Sequence, residues 1–466
     1  MSKTKNIDPL NTIHGLHRSY KNGSAKPSTV VQSYLEKIIR LNPVLGSYEV
    51  VWADTAMEAA EAADKSFATG YFSNPFLGVP FALKDIFHVK GKVTTCGSAA
   101  MLDNVACKTS TIVQRLFSAG GVVLGKTKTV ECAFGGWGTN QKMGTPINPW
   151  DMEKHRIPGG SSSGSAVAVA SGMASCAIGS DTGGSVRLPA AFCGLVGLKV
   201  TAGRLPTKGI MPLSQTLDTP GPITQTVLDS LIMFDVLDGR EGWKIAKDLD
   251  RGEGIYGLLS KGISGLQLGI LSDTEREHCS CDILESYDVA LDRLRSLGAK
   301  LVPFENPTSY DGLANDNGMI TAVEAFYNHG HLYKNFDLPM DEDVRARMLV
   351  GEKFSAHEYF GTLQRRQIMI KEFVNLMRGF DALVTPTTIS TAPEMADVDQ
   401  AISPGHFTRP FNFLEMCGLS IPIDLNEEGL PTSIQIVGRA NAEAMCFRIG
   451  ATLESDLPPI GQPILH

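Results

Sequence analysis

The sequence has no apolar run of the length, about 18 residues or more, that a membrane-spanning helix needs. It also lacks a dense Lys/Arg block: 42 basic residues stand against 50 acidic ones, for a net charge of -8. That balance omits the electrostatic footprint of a protein that grips nucleic acid or an anionic membrane. The opening MSKTKNIDPL is charged and broken by Pro9, so no apolar segment of the signal-peptide kind is present. The nine cysteines, at 96, 107, 132, 176, 193, 279, 281, 417 and 446, are odd in number and scattered. Such a pattern suits reduced thiols rather than a disulfide framework. No solenoid-type repeat and no dinucleotide fingerprint occurs. The expectation is a soluble cytoplasmic enzyme acting on a small molecule, without nucleic-acid or membrane partners and without an organic cofactor. A homodimer is compatible with this reading.

With 43% hydrophobic and 20% charged residues, the 466-residue chain can bury a sizeable core. Val31, Tyr34, Leu35, Ile38 and Ile39 recur at helical spacing, with Ser28 as candidate cap after Pro27. Ile112, Val113, Leu116 and Phe117 predict a second helix, followed by a Gly120-Gly121 turn and a strand over Val122-Val123-Leu124. The same grammar returns from Ile283 to Leu297, through Gly298, to Leu301-Val302. This alternation predicts an α/β fold with helices on a largely buried sheet. Between about 150 and 210 the chain turns to Gly, Ser and Ala, yet Val167, Val169, Ile178, Leu188 and Val196 recur within it. A flexible linker would not keep presenting apolar residues, so the tract reads as closely packed core. The more charged stretch from about 241 to 380 predicts a helical lobe beside the sheet. No domain linker stands out, so the expectation is one domain over 1–466. Its parts are a helical segment (about 1–65), a catalytic core (about 66–240), that lobe, and a return to the core (about 381–466).

Three segments carry chemistry. Gly78-Val79-Pro80-Phe81-Ala82-Leu83-Lys84-Asp85 places a lysine at the end of an apolar strand. Pro158-Gly159-Gly160-Ser161-Ser162-Ser163-Gly164-Ser165 and Gly179-Ser180-Asp181-Thr182-Gly183-Gly184-Ser185-Val186-Arg187 supply serines among glycines. A serine hydroxyl attacks a carbonyl only when a neighbour takes its proton. Lysine can do so only if burial or charge brings its pKa down from about 10.4. A bridging hydroxyl such as Ser161 can carry the proton between them. Thr182, Gly183 and Gly184, just before Ser185, can turn backbone N–H groups towards a developing oxyanion.

At these residues the chain resembles the amidase signature family: GVPFALKDIF, then GGSSSGS, then GSDTGGSVRLP. Further likeness lies in Pro212-Leu213-Ser214, Leu217-Asp218-Thr219, Asp381 to Pro386, Gly429-Leu430-Pro431 and Gln435 to Arg439. The resemblance covers about residues 10 to 455. It implies one α/β domain with a central twisted mixed β-sheet flanked by helices on both faces. It also implies Lys84 as base, Ser161 as relay after a cis peptide bond, and Ser185 as the nucleophile that becomes acylated. Thr182, Gly183 and Gly184 would then line the oxyanion hole, while Asp181 and Arg187 would shape the loop. Ser163 departs from the pattern, where glycine is commoner.

Other motifs compete. Gly120 to Thr127 spells the phosphate-loop pattern, but its centre reads as a strand. Gly160 to Gly164 fits the nucleophile-elbow pattern centred on Ser162, but a polar stretch and Pro158 replace the strand that should precede it. Neither His329 and His331 nor His278-Cys279-Ser280-Cys281 has a second ligand set at zinc spacing, so no metal is expected. The resemblance leaves two biological readings. One is a stand-alone amidase for amides, carbamates, hydrazides or urea-derived compounds, with some esterase activity. The other is the glutaminase subunit of an aminoacyl-tRNA amidotransferase complex. The stretch TAVEAFYNHG and the tail TRPFNFLEMCGLSIPIDL favour the first. Phe134, Gly135, Gly136 and Trp137, with Phe413 and Met416, are candidate pocket walls suited to an apolar or aryl acyl group.

Overall fold

Short apolar runs too small to fold alone bury their backbone polar groups by pairing side by side. The computed structural model describes residues 4–5, 7–70 and 74–465. In it, eleven such runs form one sheet. In chain order they are β1 (Tyr48–Val51), β2 (Pro80–Lys84), β3 (Val122–Thr127), β4 (Cys176–Asp181), β5 (Val196–Lys199) and β6 (Thr219–Thr224). β7 (Gln267–Leu271), β8 (Lys300–Phe304), β9 (Ala382–Pro386), β10 (Cys417–Leu425) and β11 (Pro431–Gly438) complete it. Across the sheet the order is β1-β3-β2-β4-β6-β5-β10-β11-β9-β7-β8. β2 runs parallel to both β3 and β4, whereas β6, β5, β10 and β11 pair antiparallel, so the sheet is mixed. Every residue of β2, β4, β5, β6, β9 and β11 is buried. Successive strand residues point to opposite faces, so both faces of these strands are covered. The expectation of an α/β domain with a mixed sheet flanked by helices holds.

Details differ from the sequence reading for physical reasons. The helix Pro27–Leu45 starts with Pro27 at its first turn and Lys26 as cap, because proline's fixed φ suits that position. Ser28 is therefore not the cap; its hydroxyl donates instead to Asp64 at 2.5 Å, tying this helix to Ala53–Ala68. Ile39 follows Ile38 around the helix and is 76% exposed, and Phe117 is likewise outside the core. The stretch 241–380 holds long helices such as Tyr310–Tyr333 and Ala356–Leu376, but it also donates β7 and β8 to one end of the sheet. The phosphate-loop match is a strand, β3. Its Lys126 is fully buried, pairs with Asp85 at 2.8 Å and donates to Thr94 at 2.6 Å.

The Gly/Ser/Ala tract is core. All eight residues of the helix Ser163–Ala170 are buried, because it lies directly on backbone. A Cβ on Gly164 would overlap the Ser47 carbonyl oxygen and stand 2.7 Å from the Lys128 nitrogen. Gly164→Val should therefore destabilise the chain by about 2–3 kcal/mol or more, read as a lower urea midpoint. Gly361→Ala, whose Cβ would meet only the Arg365 guanidinium at 3.9 Å, should be neutral or slightly stabilising. Equal costs at the two sites would contradict close packing as the reason for the small residues.

Candidate active site

Lys84 ends β2, and the parallel register of β2 with β4 sets Leu83 against Ile178. The next residues along both strands, at their carboxyl ends, are therefore neighbours. Crevices at the carboxyl ends of parallel strands are where open α/β sheets place ligands. Here Lys84 Nζ donates to Ser161 Oγ at 2.7 Å and to Ser180 Oγ at 2.8 Å. The lysine is wholly buried. Burial pushes its pKa down to about 7, against the opposing pull of Asp218, Asp181 and Cys96. A large neutral fraction thus exists near pH 7. Ser180 had no role in the sequence reading. Only the strand register exposes it.

The Gly160–Ser161 peptide is cis. Its neighbours hold it from both sides: Gly160 N–H donates to the Gly136 carbonyl at 2.7 Å, and the Ser161 carbonyl accepts from Thr129 Oγ1 at 2.8 Å. Ser162 is no exposed elbow. Its hydroxyl donates to the Ser185 carbonyl at 2.5 Å, which ties the loop of Ser161 to the loop of Ser185. Ser185 itself is 8% exposed. Among the described residues its hydroxyl makes no hydrogen bond. The structure therefore joins Lys84 to Ser161 and, through Ser162, ties the loop of Ser185 to theirs, with no Ser161–Ser185 hydrogen bond among the described residues.

The loop before Ser185 winds around Asp181. That carboxylate accepts from the Gly184 and Val186 N–H groups at 2.8 and 3.2 Å, from Arg187 Nε and Nη2 at 3.0 Å each, and from Asn412 at 2.9 Å. Burial disfavours its charge, but the Arg187 guanidinium and these donors outweigh it and hold the pKa below the usual carboxylate range. Gly184 has φ +130°, and a Cβ there would overlap Thr408 Oγ1, so only glycine fits. One expectation needs correction. The Gly184 N–H is spent on Asp181, so it cannot serve an oxyanion. The N–H groups of Thr182, Gly183 and Ser185 have no partner among the described residues, and these can. Asn317 and Thr408 hold this turn by donating to the Thr182 and Gly183 carbonyls at 3.3 and 2.7 Å.

A cleft of about 110 Å³ reaches this end of the sheet. It is lined by Ile86, Ala133, Ser180, Met211, Leu213 and Asp218, among others. Burial raises the Asp218 pKa to about 6, opposed by hydrogen bonds from Thr182, Ser214 and Leu213 and by the charge of Lys84. The expected walls do not line this cleft. Phe134 packs into an apolar cluster with Leu213 and Met348, and Trp137 donates its indole N–H to the Ile402 carbonyl at 2.8 Å. Gly135 and Gly136 serve the cis peptide, since the Gly136 carbonyl takes the Gly160 N–H. Phe413 and Met416 are core. His278 gathers with Glu275 and His406, their ligand atoms within 4.8 Å of one another, a grouping invisible at sequence distance. There His406 is bonded to Asp311 at 2.9 Å and to Glu275 at 3.1 Å. His329 is bonded to the Pro212 carbonyl.

A model of the amidase family matches residues 29–447. The chain is 33% identical over 474 residues to a subunit of the glutamyl-tRNA(Gln) amidotransferase of Prochlorococcus marinus (strain MIT 9215), covering 95% of this chain and 98% of that protein. It is 33% identical over 428 residues to the 2-amino-5-chloromuconic acid deaminase of Comamonas testosteroni, covering 89% of each. Among solved structures, the native peptide amidase from Stenotrophomonas maltophilia is similar with a TM-score of 0.82 at 27% identity, over 96% of this chain and 98% of that one.

Two outcomes follow from this geometry. If Lys84 must be neutral to act, kcat/KM on an aryl amide rises with pH through its pKa of about 7. The negative charge of Asp218 favours the protonated lysine, so Asp218→Asn should move that acidic limb to lower pH, by about one pH unit. A limb that stays put would remove Lys84 as its source. Separately, Ser163 Oγ is buried with no hydrogen-bond partner among the described residues. Ser163→Ala should therefore raise stability by about 1 kcal/mol in urea melts, and a loss of that size would show that the hydroxyl is bonded in solution.

Proposed function

The chain belongs to the amidase family, whose chemistry is the hydrolysis of carbon–nitrogen amide bonds, and from that premise we propose that it is a stand-alone amidohydrolase. Ser185 Oγ attacks the scissile carbonyl while its proton passes to Ser161, and the Ser161 proton to neutral Lys84. The carbonyl oxygen, now an oxyanion, is received by the N–H groups of Thr182, Gly183 and Ser185. Protonated Lys84 returns the proton through Ser161 to the leaving nitrogen, and the amine departs from an acyl-enzyme on Ser185. Water then attacks the acyl carbonyl, giving its proton to the same relay, and Ser185 is regenerated as the acid leaves. One observation carries this reading: a buried lysine with a pKa near 7 and its Nζ 2.7 Å from the Ser161 hydroxyl. Carbamates, hydrazides, urea-derived compounds and some esters present the same carbonyl and fall within the same chemistry. The proposal puts the enzyme in the cytoplasm, with no nucleic-acid partner.

A second reading has its own support, the 33% identity, over nearly the whole of both chains, to a glutamyl-tRNA(Gln) amidotransferase subunit. There the chain would hydrolyse glutamine within a complex. The segment Thr321 to Gly330 and the tail from Thr408 argue for the stand-alone enzyme instead.

The purified chain separates the two. A stand-alone amidase hydrolyses alkyl or aryl amides without any partner, and Ser185→Ala lowers that rate by about a thousandfold or more. Lys84→Ala should cut amide hydrolysis more deeply than ester hydrolysis, because the amine is the poorer leaving group and needs the returned proton. A chain inert on all amides alone, and active on glutamine only when partner chains are added, would decide for the amidotransferase complex.

A further inference from the structure

Imidazole nitrogens beside a carboxylate are the donor set that divalent transition metals select, because both groups ligate zinc while harder cations prefer oxygen alone. One such set lies outside the cleft. The turn after β7 supplies Glu275, in the short helix Asp273–Arg276, and His278 just beyond it. His406 arrives from the distant segment that leads into the helix Arg409–Phe413. The ligand atoms of the three residues all lie within 4.8 Å of one another. The rings of His278 and His406 have their centroids 4.4 Å apart and are tilted by 32°. None of the three lines the cleft beside Ser180.

The set is held from behind. His406 is buried, and Tyr310 and Phe407 pack edge-on against its ring. Its Nδ1 is 2.9 Å from Asp311 Oδ1 and its Nε2 is 3.1 Å from Glu275 Oε2. A carboxylate only accepts, so Nδ1 carries the hydrogen of the Asp311 contact. A metal at Nε2 would take the place of the hydrogen shared with Glu275. In such an arrangement the outer carboxylate fixes the ring and makes the histidine a stronger ligand. Glu275 is oriented too, since its Oε1 accepts the Tyr310 N–H at 3.4 Å. Tetrahedral zinc with bonds of about 2.0–2.1 Å spaces its ligand atoms about 3.4 Å apart. The Glu275–His406 pair is already near that spacing. Of the three ligands only His278 is exposed, so turning one free side chain closes the set and leaves the ion a way in.

We propose that Glu275, His278 and His406 form a zinc site, with water as fourth ligand and Asp311 holding His406 in place. This replaces the expectation that no metal is bound. The position of the site gives the ion a structural part. One residue before His406, a Cβ on Gly405 would stand 3.0 Å from the Gly183 carbonyl oxygen. Two residues after it, Thr408 donates to that same carbonyl at 2.7 Å. Zinc thus pins the segment that steadies the Gly183 turn to the turn after β7 and, through Asp311, to the helix Tyr310–Tyr333.

The full chain, stripped with EDTA and dialysed, tests the site by competition for zinc with a chromogenic chelator. One zinc per chain at micromolar affinity or tighter is expected, with a melting temperature that rises in zinc and not in Mg2+. His278→Ala and Glu275→Gln should each weaken binding by about tenfold or more, and Asp311→Asn by about tenfold through the ring it holds. His278 and Asp311 have exposed side chains, so those two variants keep the fold. Thiols are the rival ligands. Cys107→Ser and Cys281→Ser, at exposed positions, should leave the affinity unchanged. Absence of binding at sub-millimolar zinc would overturn the site. An affinity unchanged in His278→Ala, or lost in Cys281→Ser, would overturn its assignment to these residues. None of these outcomes bears on the amidase reading, since binding and melting are read without substrate.

Discussion

A wholly buried lysine with no carboxylate bonded to it is the constraint around which this site is built. Among the described residues Lys84 Nζ bonds only to hydroxyl groups, those of Ser161 and Ser180. Desolvation therefore dominates its titration and brings the pKa to about 7. That state is easily lost, since a free carboxylate nearby would fix the proton on the lysine. Two acids do lie within electrostatic reach, Asp181 and Asp218. The first is bound bidentately by Arg187, so its charge reaches Lys84 as part of an ion pair. The second has its pKa raised by burial to about 6, so near pH 7 it is mostly ionised, with its charge spread over hydrogen bonds from Thr182, Leu213 and Ser214. Arg187 touches no reacting atom in the proposed mechanism. Yet by compensating Asp181 it helps to keep the base unprotonated.

The same buried end of the sheet explains the glycine and serine content. Three stretches of backbone have to meet around Ser161: the 135–138 loop, the start of the helix Ser163–Ala170, and the turn that leads to Ser185. A Cβ on Gly138 would stand 2.5 Å from the Gly159 carbonyl oxygen, and one on Gly179 2.7 Å from the Ser162 hydroxyl. Side chains of ordinary size would push these stretches apart. Small residues leave backbone polar groups exposed to one another, and serine hydroxyls satisfy them locally, as Ser162 does for the Ser185 carbonyl. Ser163 is the exception, a buried hydroxyl with no partner among the described residues. It is also the position at which the sequence departs from the family pattern.

What could be read from the sequence was whatever is local in the chain. Lys84, Ser161 and Ser185 stand in short motifs whose residue types announce their chemistry, and the two strands of the helix–turn–strand units carry their own apolar patterns. The strand order could not be read, because β6 inserts between β4 and β5 against chain order. With it went Ser180, whose part depends on β2 lying beside β4. The Gly184 N–H could not be assigned either. Glycine runs show that backbone can turn towards a ligand, not which N–H a buried carboxylate has already taken. The lining of the cleft could not be read for a similar reason. Aromatic residues near a serine motif are as well used in packing a neighbouring loop, which is where Trp137 and Phe134 are spent.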